Sequence, residues 1–315
     1  MVNDVTSINR AGFTAIIGAP NAGKSTLVNR LVGTKVAIVT HKVQTTRFPV
    51  RGIAHFSDAQ IVLLDTPGIF SARSRLDRAM VQSAWAGADD ADCRVHLVDA
   101  SAWISDKPTP AQIKSMEDDR SVTGTLKAQG KSAILALNKI DLFDHAQVLA
   151  LIAEFNKAEV YSDIVPISAE NGDGVDRLLE LVAAQMPEGP QLYPANQAAD
   201  LPLRLIAAEI TRERLMLRLH QELPYQLTVE TESWEDRADG SVRIQQVIIV
   251  GRESHKSMVL GKGGRVTREI GQGAREELKD LLGQTVHLFL FVKVDERWQE
   301  KRERYEGLGL DFDVG

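Results

Sequence analysis

The chain has 315 residues and a formal net charge of −6, with 43% hydrophobic and 25% charged residues. This length predicts about two domains, because single domains usually contain roughly 100–200 residues. The composition is ordinary for a folded globular protein and argues against a disordered chain. The acidic balance argues against a protein that coats nucleic acid through its overall charge, but it is compatible with a local basic patch.

Neither a secretory signal nor a membrane-spanning segment is expected. Residues 1–6 contain neither the basic nor the apolar segment of a signal peptide. Apolar runs such as residues 286–292 fall far short of the ~18 residues that a transmembrane helix needs. The single cysteine, Cys93, cannot form an internal disulfide, and we interpret it as a small core residue in a reducing compartment.

Strand-like and helix-like stretches alternate through the first ~185 residues. The predicted strands are 13–17, 50–56, 60–65, 93–99, 132–138 and 162–167. The predicted helices are 24–33, 76–88, 110–129, 144–158 and 174–185. This order predicts an α/β domain with a mostly parallel sheet and helices on both faces. Such sheets bind ligands outside the carboxyl ends of their strands, so functional residues are expected there.

A glycine-rich loop between the first strand and the first helix has the spacing of a phosphate-binding loop. It matches G-x-x-x-x-G-K-[ST] over residues 18–25. Glycines let backbone N–H groups approach phosphate oxygens, the lysine reaches the β- and γ-phosphates, and the serine hydroxyl ligates Mg²⁺. A helix-capping glycine turn is the alternative, and the flanking strand and helix argue against it. The expected nucleotide contacts are Gly18, Asn21, Ala22, Gly23, Lys24, Ser25 and Thr26.

A second motif, Asp65-Thr66-Pro67-Gly68, follows the third predicted strand directly. Asp65 would hold Mg²⁺ through water, and the Gly68 N–H would contact the γ-phosphate until hydrolysis removes it. The Thr66 and Pro67 residues complete this nucleotide-contacting turn. Alone, the sequence is equally typical of an ordinary turn, but its position after the phosphate loop favours nucleotide binding.

Two further motifs predict that the bound base is guanine. The N-K-I-D motif contributes Asn138, Lys139 and Asp141 at the end of the fifth strand. The Asp141 carboxylate matches the N1–H and exocyclic amine of guanine, a donor pair that adenine lacks. Asn138 would support the base and nearby loops, and the Lys139 stem would pack along the ring. A backbone N–H from Ser168 or Ala169, after the last strand, would reach the guanine O6.

Together, these four elements resemble the GTP-binding domain of the translation-factor-related GTPases over about residues 10–187. The stretch Gln44-Thr45-Thr46-Arg47 resembles the effector loop of the Era-like branch of that family. The resemblance implies that one threonine completes the Mg²⁺ shell when GTP is bound. We favour Thr46 and keep Thr45 as the alternative; an ordinary solvated loop is the other interpretation.

The residue after Gly68 is Ile69, whereas Ras and Gα have a glutamine there that orients the attacking water. An aliphatic side chain cannot polarise water, so backbone groups, the effector loop or a bound monovalent cation must position it. Asn21 occupies the loop position that helps to hold potassium in some relatives. We therefore expect slow, K⁺-stimulated hydrolysis. The expected catalytic residues are Lys24, Thr46, Gly68 and Asn21.

A stretch rich in proline and glycine, residues 186–194, separates this part from the rest of the chain. The second part has the predicted order helix, strand, strand, helix, helix, strand, with a G-x-x-G loop between its last two helices. This order resembles an α+β type II KH domain, in which that loop clamps a nucleic-acid backbone. The predicted boundaries are 1–187 for the GTPase domain, 188–200 for the linker, 201–296 for the KH domain and 297–315 for a C-terminal helix and tail.

The G-x-x-G loop lies in a locally basic stretch. Residues 252–268 contain five lysines and arginines and a single acid, Glu253. Glycines permit close approach of phosphates, and the N-terminus of the following helix adds a partial positive charge. A plain turn between helices is the alternative. The expected RNA contacts are Gly261, Lys262, Gly263, Gly264 and Arg265.

An Era-like GTPase domain followed by a type II KH domain accounts for essentially the whole chain. The resemblance implies a GTP-hydrolysing switch that binds the 3′ end of the small-subunit ribosomal RNA and assists assembly of the small ribosomal subunit. It also implies Mg²⁺ as the cofactor, a cytoplasmic location and peripheral association with the inner membrane. The alternatives are a signalling GTPase whose C-terminal domain docks a protein partner, and a metabolic P-loop ATPase.

Overall fold

The computed structural model describes residues 9–43, 45–72, 74–220 and 223–314. These residues form two compact units. The first contains the chain up to Ala37, Thr46–Asp200 and the chain from Leu308, and the second contains Ile38–Thr45 and Leu201–Gly307. Gln44 of the predicted effector loop lies outside the described residues.

The first unit is built on a six-stranded sheet with the order β2-β3-β1-β4-β5-β6. Within the described chain, β2 is antiparallel to β3 and the other neighbouring pairs are parallel, so the predicted mostly parallel sheet is confirmed. The strands are β1 (Arg10–Ile17), β2 (Val50–Phe56), β3 (Ala59–Asp65), β4 (Cys93–Asp99), β5 (Ala133–Asn138) and β6 (Tyr161–Pro166).

The helices of this unit begin and end close to the residues predicted from the sequence. Ser74, Thr109 and Asp144 each begin a helix with reciprocal hydrogen bonds to the third helical residue, which fixes these helix starts. A short helix after β4, residues 100–104, was not predicted. The helices are α1 (Lys24–Val32), α2 (Arg75–Asp90), α3 (Ala100–Ile104), α4 (Pro110–Ala128), α5 (His145–Asn156) and α6 (Val175–Gln185).

The parallel strands carry the functional motifs to one edge of the sheet. Every residue of β3 and β5 is buried, as expected for central strands with helices on both faces. Ile16 of β1 is in register with Asp65 of β3, and Asp99 of β4 is in register with Asn138 of β5. The loops that follow these strands therefore meet at the carboxyl edge.

The predicted linker lies along the first unit. Ala199 forms a β-bridge with Gly52, and the Ile53 N–H donates to the Ala198 carbonyl at 2.8 Å. The Gln60 amide oxygen accepts the N–H groups of Leu192 and Tyr193 at 2.7 and 2.9 Å. The linker is thus hydrogen-bonded to β2 and β3 over much of its length. The sequence-based domain boundaries stay a prediction.

The second unit is an α+β domain with the element order predicted from the sequence. Its sheet has the order β7-β8-β9, with β7 and β8 antiparallel and β8 and β9 parallel. Apolar residues of the three longer helices and the sheet form its core. The elements are α7 (Leu203–Arg218), β7 (Leu227–Asp236), β8 (Val242–Val250), α8 (Glu253–Leu260), α9 (Arg265–Leu282), β9 (Val286–Val294) and α10 (Arg302–Gly307).

The C-terminal helix expected from the charge pattern is interrupted. A single 3-10 turn, Trp298–Glu300, precedes the short α10. Trp298 and Tyr305 are both buried, and the Tyr305 hydroxyl donates to the Gln299 carbonyl at 2.7 Å. The segment is therefore held in place by these buried aromatic residues and not by a continuous helix. Within the described ranges, every helix is too short or too polar to span a lipid bilayer.

Candidate functional site

The phosphate-binding loop connects β1 to α1, and its backbone requires glycine at two positions. Gly18 and Gly23 have φ angles of 148° and 100°. A Cβ on Gly23 would lie 2.4 Å from the Asn138 side-chain nitrogen, and one on Gly18 would lie 2.2 Å from the Leu97 carbonyl oxygen. Asn21 also has a positive φ, 64°, which asparagine tolerates better than most residues. The loop therefore has little freedom and directs backbone toward the N-terminus of α1, where anions bind.

Lys24 lies buried beneath this loop. Its ammonium group donates to the carbonyl oxygens of Gly18 and Ala19 at 3.1 and 2.8 Å. Burial lowers the Lys24 pKa to about 8, and the nearby Asp65 carboxylate opposes that shift. A buried cation is costly without a compensating anion. The site is thus suited to a phosphate, as the sequence predicts.

Three predicted metal ligands lie together beside Lys24. The Ser25 hydroxyl oxygen is 2.7 Å from Asp65 Oδ2 and 2.9 Å from the Thr46 hydroxyl oxygen. Thr46 Oγ1 is also 3.2 Å from Asp65 Oδ2. Hydroxyl and carboxylate oxygens are the ligands that Mg²⁺ prefers. The cluster therefore has the donor chemistry of a magnesium site.

Asp65 itself indicates that a cation fits here. Its carboxylate is fully buried, and among the described residues its Oδ1 atom has no hydrogen-bond partner. Burial raises the Asp65 pKa to about 6, although hydrogen bonds from Ser25 and the charge of Lys24 favour the ionised form. A divalent cation would compensate this buried, incompletely satisfied carboxylate.

The two candidate threonines of the effector loop have different surroundings. Thr45 Oγ1 is bonded to the Lys42 carbonyl and to Thr40 Oγ1, each at 2.6 Å. Thr46, by contrast, contacts Ser25 and Asp65. The geometry therefore favours Thr46 as the residue available to a metal, and its role as a ligand stays a prediction.

The turn after β3 packs directly against the phosphate loop. The Ile69 N–H donates to the Gly18 carbonyl at 3.1 Å, and a Cβ on Gly68 would lie 2.9 Å from the Pro20 ring. Thr66 Oγ1 donates to the Ile16 carbonyl at 2.8 Å, and Pro67 is buried. The Ile69 side chain is buried in the apolar core. At this position the turn can present backbone groups to a nucleotide but no polar side chain.

Asn138 connects the two sides of the predicted base site. Its Nδ2 donates to the Ala22 carbonyl at 2.8 Å, and its Oδ1 accepts the Ala169 N–H at 2.9 Å. The Ser168 N–H donates to the Asp173 carbonyl at 2.9 Å. Both backbone donors that the sequence offers to guanine O6 thus have partners within the chain, so that contact stays a prediction. These bonds connect Asn138 to the loops on either side, and the support that it would give to a base stays a prediction.

Lys139 and Asp141 follow Asn138 in the chain. The Lys139 ammonium pairs with Asp99 Oδ2 at 2.5 Å and donates to the Asn21 carbonyl at 3.3 Å. Its aliphatic stem is thereby held beside the phosphate loop. Asp141 is exposed in the 3-10 turn Ile140–Leu142, where its carboxylate is accessible to a base.

Sequence reasoning missed two residues of α7 that bind the segment Ile38–Thr45, which belongs to the second unit and leads into the effector loop. Arg212 is almost fully buried, forms an ion pair with Glu209 at 2.5 Å and donates to the Thr45 carbonyl. The buried Glu213 carboxylate accepts the Val39 N–H at 2.8 Å. In the sequence these residues are indistinguishable from the solvated charges of an amphipathic helix.

Lys42 adds two more hydrogen bonds between this segment and the end of α7. Its ammonium group donates to the carbonyl oxygens of Met216 and Leu219, at the end of that helix. Helix C-termini carry unsatisfied carbonyls and a partial negative charge, so a lysine is favourable there. Loss of solvent around the amine lowers the Lys42 pKa. Side chains of both signs thus connect Val39, Lys42 and Thr45 to α7.

The predicted RNA-binding loop is open to solvent. Gly261, Gly263 and Gly264 have φ angles of 68°, 60° and 74°. A Cβ on Gly263 or Gly264 would meet no atom within 4 Å, so these positions need glycine for backbone conformation and not for packing. Lys262 and Arg265 are exposed beside them at the N-terminus of α9. The loop can therefore receive a phosphate backbone closely.

Known proteins resemble the chain over nearly its full length. The family profile described as 50S ribosome-binding GTPase matches residues 13–139, and that described as KH domain matches residues 222–299. The GTPase Era of Caulobacter vibrioides (strain NA1000 / CB15N) is 58% identical over 316 residues, covering 99% of this chain and 100% of that protein.

Two solved structures extend the likeness to three dimensions. A crystal structure of an Aquifex aeolicus Era variant bound to GDP and AlF4⁻ is 37% identical, with a TM-score of 0.86 over 95% of this chain and 99% of that one. A crystal structure of Era in complex with MgGDPNP and nucleotides 1506–1542 of 16S ribosomal RNA is also 37% identical. Its TM-score is 0.87, over 96% of this chain and 99% of that one.

Proposed function

The chain belongs to the Era family of GTPases, and we propose that it is a GTP-hydrolysing switch that binds the 3′ end of small-subunit ribosomal RNA. Through this binding it would assist assembly of the small ribosomal subunit. The observation that carries the proposal is the Ser25–Thr46–Asp65 oxygen cluster beside a phosphate loop, in a chain that also has an open G-x-x-G loop. Nucleotide chemistry and RNA binding are thereby combined in one molecule.

GTP would bind with its phosphates on the loop and its base beside Asn138. Lys24 would exchange its two carbonyl partners for β- and γ-phosphate oxygens, which satisfies its buried charge. Ser25, Thr46 and Asp65 would hold Mg²⁺, which neutralises charge on the β- and γ-phosphates. The exposed Asp141 would select guanine over adenine.

Hydrolysis without a partner would be slow, because the buried Ile69 cannot orient the attacking water. We propose that K⁺ near Asn21 helps to position the reaction, which the exposure and positive φ of Asn21 in the phosphate loop support. Comparing turnover in KCl and NaCl tests this idea. Faster turnover in KCl is expected, and Asn21→Ala should remove the difference; fast turnover in sodium, unchanged in the variant, would contradict it.

The nucleotide would influence RNA binding through the effector loop. GTP and Mg²⁺ would hold Thr46, whose chain neighbour Thr45 is bonded to Arg212 of α7. Glu213 holds Val39 on the same helix. Ordering or release of Thr46 would therefore alter a segment that the KH-containing unit holds. A cytoplasmic location and peripheral association with the inner membrane rest on the family resemblance alone and stay predictions.

The proposal is tested by measuring nucleotide and RNA preferences of matched variants. Asp141→Asn should shift preference from GTP towards XTP, and an unmutated protein that binds ATP equally well would refute the guanine assignment. The double variant Lys262→Asp/Gly263→Asp should lose binding to RNA that corresponds to nucleotides 1506–1542 of 16S ribosomal RNA. Unaltered RNA binding would instead favour a GTPase whose second domain docks a protein.

A further inference from the structure

Two aromatic rings lie uncovered on the outer face of β9. Phe289 and Phe291 are 44% and 52% exposed, whereas buried or partly buried side chains of alternate residues, such as Leu290, face the helices. Residues two apart on a strand share a face and lie roughly 7 Å apart. Within the described chain, β9 pairs with β8 alone, so it forms an edge of the sheet.

The C-terminal segment covers only the other part of this face. Val247 and Ile249 of β8 point the same way as the phenylalanines but are 5% and 2% exposed. Arg304 of α10 pairs with Glu230 of β7, the register partner of Val247, at 2.8 Å. The chain thus protects β7 and β8 and leaves the aromatic residues of β9 accessible.

Basic groups accompany the two rings. The Arg243 guanidinium lies 5.2 Å from the centre of the Phe289 ring. The exposed Lys293 follows on the same face, two residues beyond Phe291. Nearby carboxylates are engaged by cations of the chain: Glu235 pairs with Arg243 at 3.3 Å, and Asp295 pairs with Lys301 and Arg304 at 2.6 and 3.0 Å.

We propose that Phe289, Phe291, Arg243 and Lys293 form a second RNA-contact surface, on which unpaired bases flanking the segment held by the G-x-x-G loop stack. The proposal rests on the RNA binding proposed above. A G-x-x-G loop clamps about four nucleotides, so a longer strand has bases left to bind elsewhere. Alternating aromatic side chains on a sheet, with basic neighbours, suit successive bases and their phosphates.

The size of the surface favours RNA over another protein or a second copy of the chain. Two phenylalanine rings at about half exposure offer roughly 200 Å² of apolar area. A stable protein interface needs about 800 Å² from each partner. A stacked base needs only one ring face, so the available area matches one or two nucleotides.

The test compares RNA of two lengths and three variants of the full chain. The long RNA corresponds to nucleotides 1506–1542 of 16S ribosomal RNA, and the short RNA is the tightest-binding of a set of fragments of about eight nucleotides that tile it. The variants are Phe289→Ala/Phe291→Ala, the ring-retaining Phe289→Tyr/Phe291→Tyr and the control Leu149→Ala, which removes an exposed leucine from α5. Fluorescence anisotropy measures affinity in GDPNP and Mg²⁺.

The double alanine variant should bind the long RNA roughly tenfold or more weakly, because each stacked base contributes on the order of a tenfold gain. Its affinity for the short RNA should stay unchanged, and the tyrosine and Leu149 variants should match the unmutated chain. Ultraviolet crosslinking of the long RNA should label the β9 peptide.

Equal affinity of all variants for the long RNA would overturn the proposal, as would equal losses for both RNAs. Self-association in sedimentation experiments that the alanine variant abolishes, with RNA affinity unchanged, would assign the surface to a second copy. If the unmutated chain binds neither RNA, the proposed function fails. Binding of both RNAs without dependence on the phenylalanines refutes only the stacking surface.

Discussion

The substitution Asp65→Asn distinguishes the effect of the buried carboxylate on protein stability from its effect on GTP hydrolysis. The Asp65 carboxylate is fully buried, and its pKa is raised to about 6 from an ordinary value of 3.8. The folded protein therefore binds this proton more tightly than the unfolded chain does. Above pH 6 the ionised carboxylate lowers the stability of the protein without nucleotide and Mg²⁺ by roughly 3 kcal/mol, at about 1.4 kcal/mol per pKa unit.

The raised pKa of Asp65 also sets the direction and the pH range of the change in stability. The destabilisation is absent below pH 3.8, grows as pH rises, and is complete above about pH 6. Roughly half of it develops between pH 5 and pH 7.5. An asparagine carries no charge, so Asp65→Asn should gain stability relative to the unmutated protein over that interval. The amide nitrogen at the Oδ1 position would lack a partner, which offsets part of the gain by about 1–3 kcal/mol at both pH values.

Denaturant-dependent hydrogen exchange of peptides from β3, measured without nucleotide and Mg²⁺, reads out the local free energy of unfolding. The stability difference between Asp65→Asn and the unmutated chain should increase between pH 5 and pH 7.5, whereas the exposed Asp106→Asn should show no such change. GTP hydrolysis by Asp65→Asn should fall at least about tenfold, because the variant loses a charged metal contact. A pH-independent stability difference would refute the reasoning, and unchanged hydrolysis would refute the metal assignment.

Three further predictions concern other parts of the chain. Gly23→Ala should weaken GTP binding at least about hundredfold in titration calorimetry, since its Cβ would collide with Asn138, whereas Gly124→Ala in α4 should leave binding unchanged and add up to ~1 kcal/mol of stability. Glu213→Ala should reduce the effect of GDPNP on RNA affinity several-fold, and Glu213→Gln, which keeps a hydrogen-bond acceptor, should largely retain that effect. Burial raises the Cys93 pKa to about 12, so a thiol reagent should label Cys93 only after denaturation.

The fold of the first unit follows closely from local sequence patterns. Central strands such as β3 and β5 are buried on both faces, so each is a continuous apolar run that the sequence reveals. Helix starts at Ser74 and Thr109 are similarly visible, because their capping bonds connect residues three apart. The helix α3 was missed because it has only five residues and no periodic pattern.

The candidate nucleotide site was also predictable, since its motifs are short and each follows a strand. The sequence favoured Thr46 over Thr45 but left both open, because a sequence gives no sign of where the side chains of adjacent residues on an irregular segment point. The role of Arg212 depends on a contact with Thr45, 167 residues away in the chain. Such a contact leaves no pattern in α7 beyond the ordinary alternation of charges on a helix.

Burial lowers the pKa of Lys24 and raises that of Asp65, so the protein alone does not fully compensate these two buried charges at the candidate nucleotide site. Burial disfavours the charge of both side chains, and each only partly compensates the other. Phosphate and Mg²⁺ would supply the missing partners of these two charges. Binding of GTP together with Mg²⁺ should therefore stabilise the first unit more than binding of GTP alone or of Mg²⁺ alone. The Thr46 hydroxyl joins this cluster, while its neighbour Thr45 is bonded to α7. Because the buried charges of Lys24 and Asp65 lie in the same cluster as Thr46, we expect the position of the effector loop to depend on the nucleotide and metal bound there.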